Sequence, residues 1–271
     1  MKLIDDIITC ANVSASSEHP SINTESNNVY IRAYHELVIY LKYLFIYYNK
    51  EISDDDLRMI IDADWGWSSL LQNLNINPNV TSVTIVTYNY DILLERILEL
   101  MGIKYQMVEF ESEEQKFRIL KPHGSISFRS KKEYDKESFS IKYNRDSLGG
   151  SISDLIVDKN VDFDKISNIN TMVPPSGESG RYKLVWSNIL RSKVIESVIN
   201  LKEDDDVIFG GLSYCNVDRT EIDSIITALN PDVNIKIVNP DTNNTFGAVI
   251  SSVFENYIHY VESSTLGGLY K

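Results

Sequence analysis

Two short segments of this chain carry residue types that could act on a bound molecule. In Thr84-Ile85-Val86-Thr87-Tyr88-Asn89-Tyr90-Asp91 a β-branched run gives way to Asn-Tyr-Asp, and helical spacing begins at Ile92-Leu93-Leu94-Glu95. In open α/β sheets ligands collect outside the carboxyl ends of the strands, so Asn89 and Asp91 are placed for chemistry. Lys121-Pro122-His123-Gly124-Ser125 follows a second apolar run, Phe117 to Leu120. An imidazole titrates near neutral pH and can take or give a proton, while an amide and a carboxylate can orient water or a polar group. Plainer readings stay open. Asn and Asp also accept hydrogen bonds from the unpaired amides at a helix start, and a lone histidine is commonly a satisfied structural one.

The elements that must position these residues alternate between strand and helix. Strands are expected at Leu3 to Thr9, Val80 to Thr87, Phe117 to Lys121, Asp206 to Gly210 and Val233 to Val238. Helical patterns occupy about 29 to 48, 54 to 75, 90 to 101, 182 to 200, 217 to 229 and 244 to 260. This alternation predicts an α/β fold, Rossmann-like, with a mostly parallel sheet and helices on both faces. The stretch from 127 to 180 has weak periodicity, Gly149-Gly150 and Pro174-Pro175, and reads as a small irregular inserted module or lid. The tail, 263–271, is expected to fray. In the helix at 29 to 48, Tyr30, Tyr34, Leu37, Leu41, Leu44, Phe45 and Tyr48 make one apolar face. Ile39, Tyr40, Tyr43 and Tyr47 make a second, aromatic face that suits either core burial or a protein interface. Trp65 and Trp67 read as packing residues.

Composition excludes several classes. The 271 residues carry 39 acidic and 26 basic side chains, a formal net charge of -13, which works against direct binding to a nucleic-acid backbone. Cys10 and Cys215, the two cysteines, cannot build a four-thiolate zinc site or a disulfide framework, and a reducing cytoplasm fits best. The most apolar run, Leu37 to Tyr48, is interrupted by Lys42 and is shorter than the roughly 20 residues of a membrane span, so no membrane association is expected.

Together the Asn-Tyr-Asp and His-Gly-Ser segments resemble the TxNxD and HG motifs of the sirtuin-like NAD-dependent enzymes, in particular their metal-free prokaryotic NAD-hydrolysing branch, which acts in antiviral defence. The resemblance implies a single sirtuin-like domain over residues 1–262, with the module at about 127–180 inserted in it. It implies NAD as substrate or ligand and no metal. Ile7 to Pro20 resembles the family's phosphate loop after a first strand, but Cys10 and Asn12 stand at two of its glycine positions and Glu18 at a third. Asn12 can still enter the left-handed backbone region, whereas Cys10 does so less readily, so the loop reads as degraded. By the same resemblance, Ala11, Asn12, Ser14, Thr87, Gly211, Ser213 and Asn239 would contact the nucleotide. The segment Gly210-Gly211-Leu212-Ser213 stands for the family's G-x-S turn.

The reaction implied is attack of water on the anomeric carbon of the nicotinamide ribose, releasing nicotinamide and leaving ADP-ribose. Asn89 would orient the water or a ribose hydroxyl, Asp91 would hold the carboxamide, and His123 would bond the ribose hydroxyls and accept a proton. The competing reading is a catalytically degenerate sirtuin-like subunit that serves a protein partner as scaffold or nucleotide sensor. The acidic surface and Tyr-rich helix suit such a partner, or a homo-oligomer.

Overall fold

A computed structural model describes residues 2–16, 29–63, 65–131, 150–162, 170–175, 184–212, 214, 218–240 and 245–271. The helices α1 (Lys2–Ser16), α2 (Val29–Glu51), α3 (Asp54–Asp62) and α4 (Gly66–Ile76) precede the first strand, β1 (Val83–Val86). Then come α5 (Leu93–Leu100), β2 (Tyr105–Met107), β3 (Phe117–Leu120), β4 (Phe128–Ser130) and β5 (Leu155–Val157). The carboxyl-terminal part runs through α6 (Val185–Ile199), β6 (Asp206–Gly210), α7 (Arg219–Ala228), β7 (Asn234–Val238), α8 (Thr245–Val253) and β8 (Tyr257–Tyr260).

The strands form two parallel sheets flanked by helices, which is the α/β architecture that the alternation predicts. In the first, β3 lies between β1 and β2, with Val83 opposite Phe117 and Tyr105 opposite the same residue on the other side. In the second, β7 lies between β6 and β8. Each central strand is the most deeply buried of its sheet: Phe117, Ile119 and Leu120 in β3, and Ile235, Ile237 and Val238 in β7, are all buried. Helix α6 packs on β3 and on α7, linking the two sheets.

Several expected elements differ. Residues 3–9 are not a strand; they begin α1, because Ile8 and Ala11 recur at helical spacing and both bury against the rest of the core. The pattern at 54 to 75 is two helices. Ser53 opens α3 with a capping box, its hydroxyl accepting from the Asp56 amide and the Asp56 carboxylate accepting from the Ser53 amide. The backbone then breaks at Ala63 and Trp65, and α4 restarts at Gly66, where a Cβ would stand 1.8 Å from the Ser263 carbonyl oxygen. The pattern at 244 to 260 divides into α8 and β8, since Tyr257 to Tyr260 pair in parallel with β7. Strands β2, β4 and β5 had no clear sequence signal; each is three residues long.

The tail is packed instead of frayed. Residues Ser263–Gly268 form a 3-10 helix against α4, and Leu266 is fully buried. The Asn73 amide donates to the carbonyls of Gly267 and Leu269, and the Asn77 amide to that of Tyr270. Within the 127–180 segment, β4 and β5 pair antiparallel and bury Phe128 and Leu155; residues 132–149, 163–169 and 176–180 lie outside the described residues. Along α2 the buried side chains are Tyr34, His35, Val38 and Ile46, whereas Tyr40 and Tyr47 of the aromatic face, and Tyr48 of the other, are exposed. Trp67 packs against Gly210, and Trp65 is exposed at the start of α4. No helix among the described residues is long and apolar enough to cross a membrane.

Lys42 joins α2 to the inserted segment: its ammonium donates to the Phe128 carbonyl at 2.6 Å and to the Thr171 hydroxyl at 3.1 Å. Burial lowers its pKa from 10.5 to about 8, with the Arg129 charge adding to the fall and Asp158 opposing it. Between about pH 8 and 10.5 the unfolded chain therefore holds more protons at this position than the folded one. The Lys42 contribution to stability rises with pH across that window, and its burial penalty stands in full below it. Urea midpoints at pH 7.5 and pH 10 should show a smaller alkaline gain in Lys42→Met than in the wild type; equal gains would refute it.

Candidate active site

His123 follows β3 on a turn whose backbone is tied on several sides. The Gly124 amide donates to the Lys121 carbonyl, the Val173 amide to the His123 carbonyl, and the Ser187 hydroxyl of α6 to the Pro122 carbonyl. Gly124 has φ +88°, and a Cβ there would lie 2.0 Å from the Thr171 carbonyl oxygen. No residue with a side chain fits both the backbone and the space. Gly124→Ala is expected to cost about 3 kcal/mol or more, read as a lowered urea midpoint; an unchanged midpoint would contradict this placement.

The His123 ring is buried and reaches across to the start of α7. Its Nε2 lies 2.9 Å from Glu221 Oε1. Because an ionised carboxylate only accepts, Nε2 carries the hydrogen, and in the neutral ring Nδ1 is left as an acceptor. Nδ1 faces Asp218 Oδ1 at 3.8 Å, too far for a direct hydrogen bond. The same Glu221 oxygen accepts from Arg191 of α6 at 2.7 Å. Tyr88, the residue between Thr87 and Asn89, lays its ring against the imidazole with centroids 4.6 Å apart.

Burial alone would hold the Glu221 carboxyl protonated, but the hydrogen bond and charge of His123, with Arg191, outweigh it and bring the group below the usual glutamate range. For Asp218 burial wins: with the Glu221 charge added, its carboxyl is pushed up, although His123 and Arg191 pull the other way. Burial also raises Tyr88, with Glu221 and Asp218 contributing, so its phenol stays neutral at any ordinary pH.

The two motif segments are joined by a buried ion pair. The Lys121 ammonium donates to the Asp91 carbonyl and pairs with Glu95 Oε1 of α5 at 2.8 Å, both side chains being almost inaccessible. This holds the Asn89 to Asp91 turn beside the His123 turn. The Asn89 side chain is exposed there, and its backbone amide donates to the Thr87 hydroxyl. Asp91 is half-buried and its Oδ1 accepts from the Leu93 amide at 3.0 Å, so at this position the helix-start reading is realised.

The remaining expected nucleotide contacts fare differently. Ala11 is buried inside α1, and the backbone of Asn12 and Ser14 is helical, so no loop follows a first strand here and the left-handed conformation expected of Asn12 is absent. Gly211 is an exposed turn after β6 whose amide donates to the Val238 carbonyl. Asn239 braces that turn, its amide donating to the Leu212 carbonyl. Ser213 and Glu18 lie outside the described residues.

Sequence reasoning missed Tyr88, Arg191, Asp218 and Glu221. A signal existed for the last two: Asp218-Arg219-Thr220-Glu221 at a helix start has capping-box spacing. It would have been misread as a cap, because the Asp218 side chain makes no capping bond. Among the described residues, no group of three or more His, Cys, Asp or Glu side chains is arranged to hold a metal ion.

Residues 83–163 match the family model of the SIR2-like domain. The matched segment runs from β1 past β5, less than a third of the chain, and carries Asn89, Asp91, Lys121 and His123. It supports a sirtuin-like relationship; Arg191, Asp218 and Glu221 lie beyond it. No curated protein matches the chain.

Proposed function

We propose that this chain binds NAD and hydrolyses it to nicotinamide and ADP-ribose, acting in the cytoplasm in prokaryotic antiviral defence. What supports the reading is one arrangement: Asn89, exposed after β1, and His123, after the neighbouring β3, both fall within the SIR2-like segment, and Glu221 from beyond that segment orients the histidine. The orphaned buried oxygens near His123 fit the hydroxyl-rich sugar of NAD. For the pyrophosphate there is no counterpart of the expected loop, since α1 stands in its place.

When bound, NAD supplies a leaving group that is already cationic, so no metal is needed to break the ring-to-sugar bond. Asn89 orients the attacking water through its exposed amide. His123 takes the proton at Nδ1 while Nε2 stays on Glu221, and the carboxylate stabilises the imidazolium that forms. Arg191 keeps Glu221 ionised for that task. The Tyr88 ring packs at a tilt against the imidazole and helps to fix its position.

A second reading is favoured by α1 itself. Without a phosphate loop the chain would be a degenerate sirtuin-like subunit, a scaffold or nucleotide sensor for a protein partner or a second copy, with Tyr40, Tyr47 and Tyr48 exposed on α2. Incubating purified protein with NAD and measuring released nicotinamide, with and without candidate partners, separates the two. Release supports hydrolysis; silence under every partner and trigger, with tight binding to a protein, supports the scaffold.

A further inference from the structure

Helix α2 presents two unlike faces. On the inward one Tyr34, His35, Val38 and Ile46 are buried, His35 Nδ1 lies 2.7 Å from Asn170 Oδ1, and the Lys42 ammonium donates to the Phe128 carbonyl. On the outward one Glu36 and Glu51 are exposed, Tyr40 is 62% exposed and Tyr47 52%, and Tyr43 is half-buried between them. Glu36, Tyr40, Tyr43, Tyr47 and Lys50 follow one another at alternating steps of four and three residues. That is the spacing of a seam along which two helices pack. Exposed positions ordinarily carry charged or small polar side chains, whereas tyrosine is enriched where two proteins meet.

Charge selects the occupant. The chain has a net charge of -13, yet along α2 Arg32, Lys42 and Lys50 outnumber Glu36 and Glu51. A basic partner would find no excess of carboxylates on this helix. A second copy of the chain finds its own complement. In a two-fold pairing residue i meets j while j meets i. With the helices antiparallel and Tyr43 near the axis, Glu36 stands opposite Lys50 and Tyr40 opposite Tyr47, each pair occurring twice. A parallel pairing would set Glu36 against Glu36 and Lys50 against Lys50. We infer that the outward stripe of α2 is the seam of a two-fold antiparallel dimer of this chain, packed through Tyr40, Tyr43 and Tyr47 and set in register by Glu36 and Lys50. Lys50 also meets Asp162 of its own chain at 2.9 Å, and its ammonium has donors enough for both carboxylates. The dimer does not depend on the NAD reading, because none of these residues belongs to the His123 site.

Light scattering on the intact protein, eluted from a sizing column over a series of concentrations, tests this. The wild type should reach twice the 31.0 kDa chain mass as concentration rises. Tyr40→Glu combined with Tyr47→Glu should stay at the monomer mass throughout, and the exposure of both side chains keeps the cost to the fold small. Glu36→Lys and Lys50→Glu should each weaken dimerisation about threefold or more, since either change sets like charges opposite one another twice. Both swaps in one chain should restore it to within about twofold of the wild type. Asp162→Asn, which removes only the intrachain partner of Lys50, should leave dimerisation unchanged. The charge swaps keep the test open if the double tyrosine variant folds poorly. A wild type that is monomeric at every concentration overturns the dimer, as does a tyrosine variant that still dimerises. Single swaps without effect, or a loss on Asp162→Asn equal to that on Lys50→Glu, overturn the antiparallel register.

Discussion

Asn89→Ala should lower nicotinamide release by about a hundredfold or more while leaving stability within about 0.5 kcal/mol of the wild type. The side chain is exposed at the end of β1, so its removal opens no core cavity and orphans no buried partner. The loss should appear in the turnover rate, because a water-orienting amide acts on the reacting atoms. His123→Ala should remove activity as well, but at a different structural cost. The imidazole is buried, holds Glu221 through Nε2 and packs on Tyr88, so truncation leaves a cavity and weakens the partnering of a buried carboxylate. A loss of about 2–4 kcal/mol is expected. A polar residue after a strand suits a solvated position, as Asn89 occupies; His123 is buried instead, which separates the two costs. Nicotinamide assays with parallel urea titrations check the pair. Full release by both variants would defeat the catalytic reading.

The largest stability effect is expected at Lys121. Lys121→Met leaves the Glu95 carboxylate buried among apolar groups and the Asp91 carbonyl without its donor. Breaking one side of such a pair costs about 3–5 kcal/mol, because the remaining charge has no compensation. Replacing both partners, as in Lys121→Met with Glu95→Leu, should recover most of that loss, since the desolvation penalty disappears together with the attraction. The Asp91 carbonyl is then the residual cost. Chemical denaturation of the two single variants and the double variant closes the cycle. A single variant that unfolds at the wild-type midpoint would show that the pair does not brace the two turns. The same variants bear on function: the ion pair fixes the Asn89 to Asp91 turn relative to His123, so the double variant should fold well and yet lose rate through misplacement of Asn89.

The sequence by itself determined the parts of this protein whose physics is local. The runs at Val83–Val86, Phe117–Leu120, Asp206–Gly210 and Asn234–Val238 are strands because short β-branched and apolar segments end in polar turns, and the reading found all of them. The Asn89 and His123 turns were legible for the same reason, as polar residues at strand ends. Only tertiary structure decided the rest. Leu3 to Thr9 suits a strand by residue type, yet Ile8 and Ala11 find a helical face to bury, and packing overrides propensity. Gly267-Gly268 suggests fraying, but Leu266 finds a place against α4 that no local rule foretells. The partners of His123 come from α7, about a hundred residues on, and their spacing spells a helix cap. Whether a carboxylate caps its own helix or turns to a distant imidazole depends on which donor the fold brings within 3 Å, and for Glu221 the fold brings His123 at 2.9 Å.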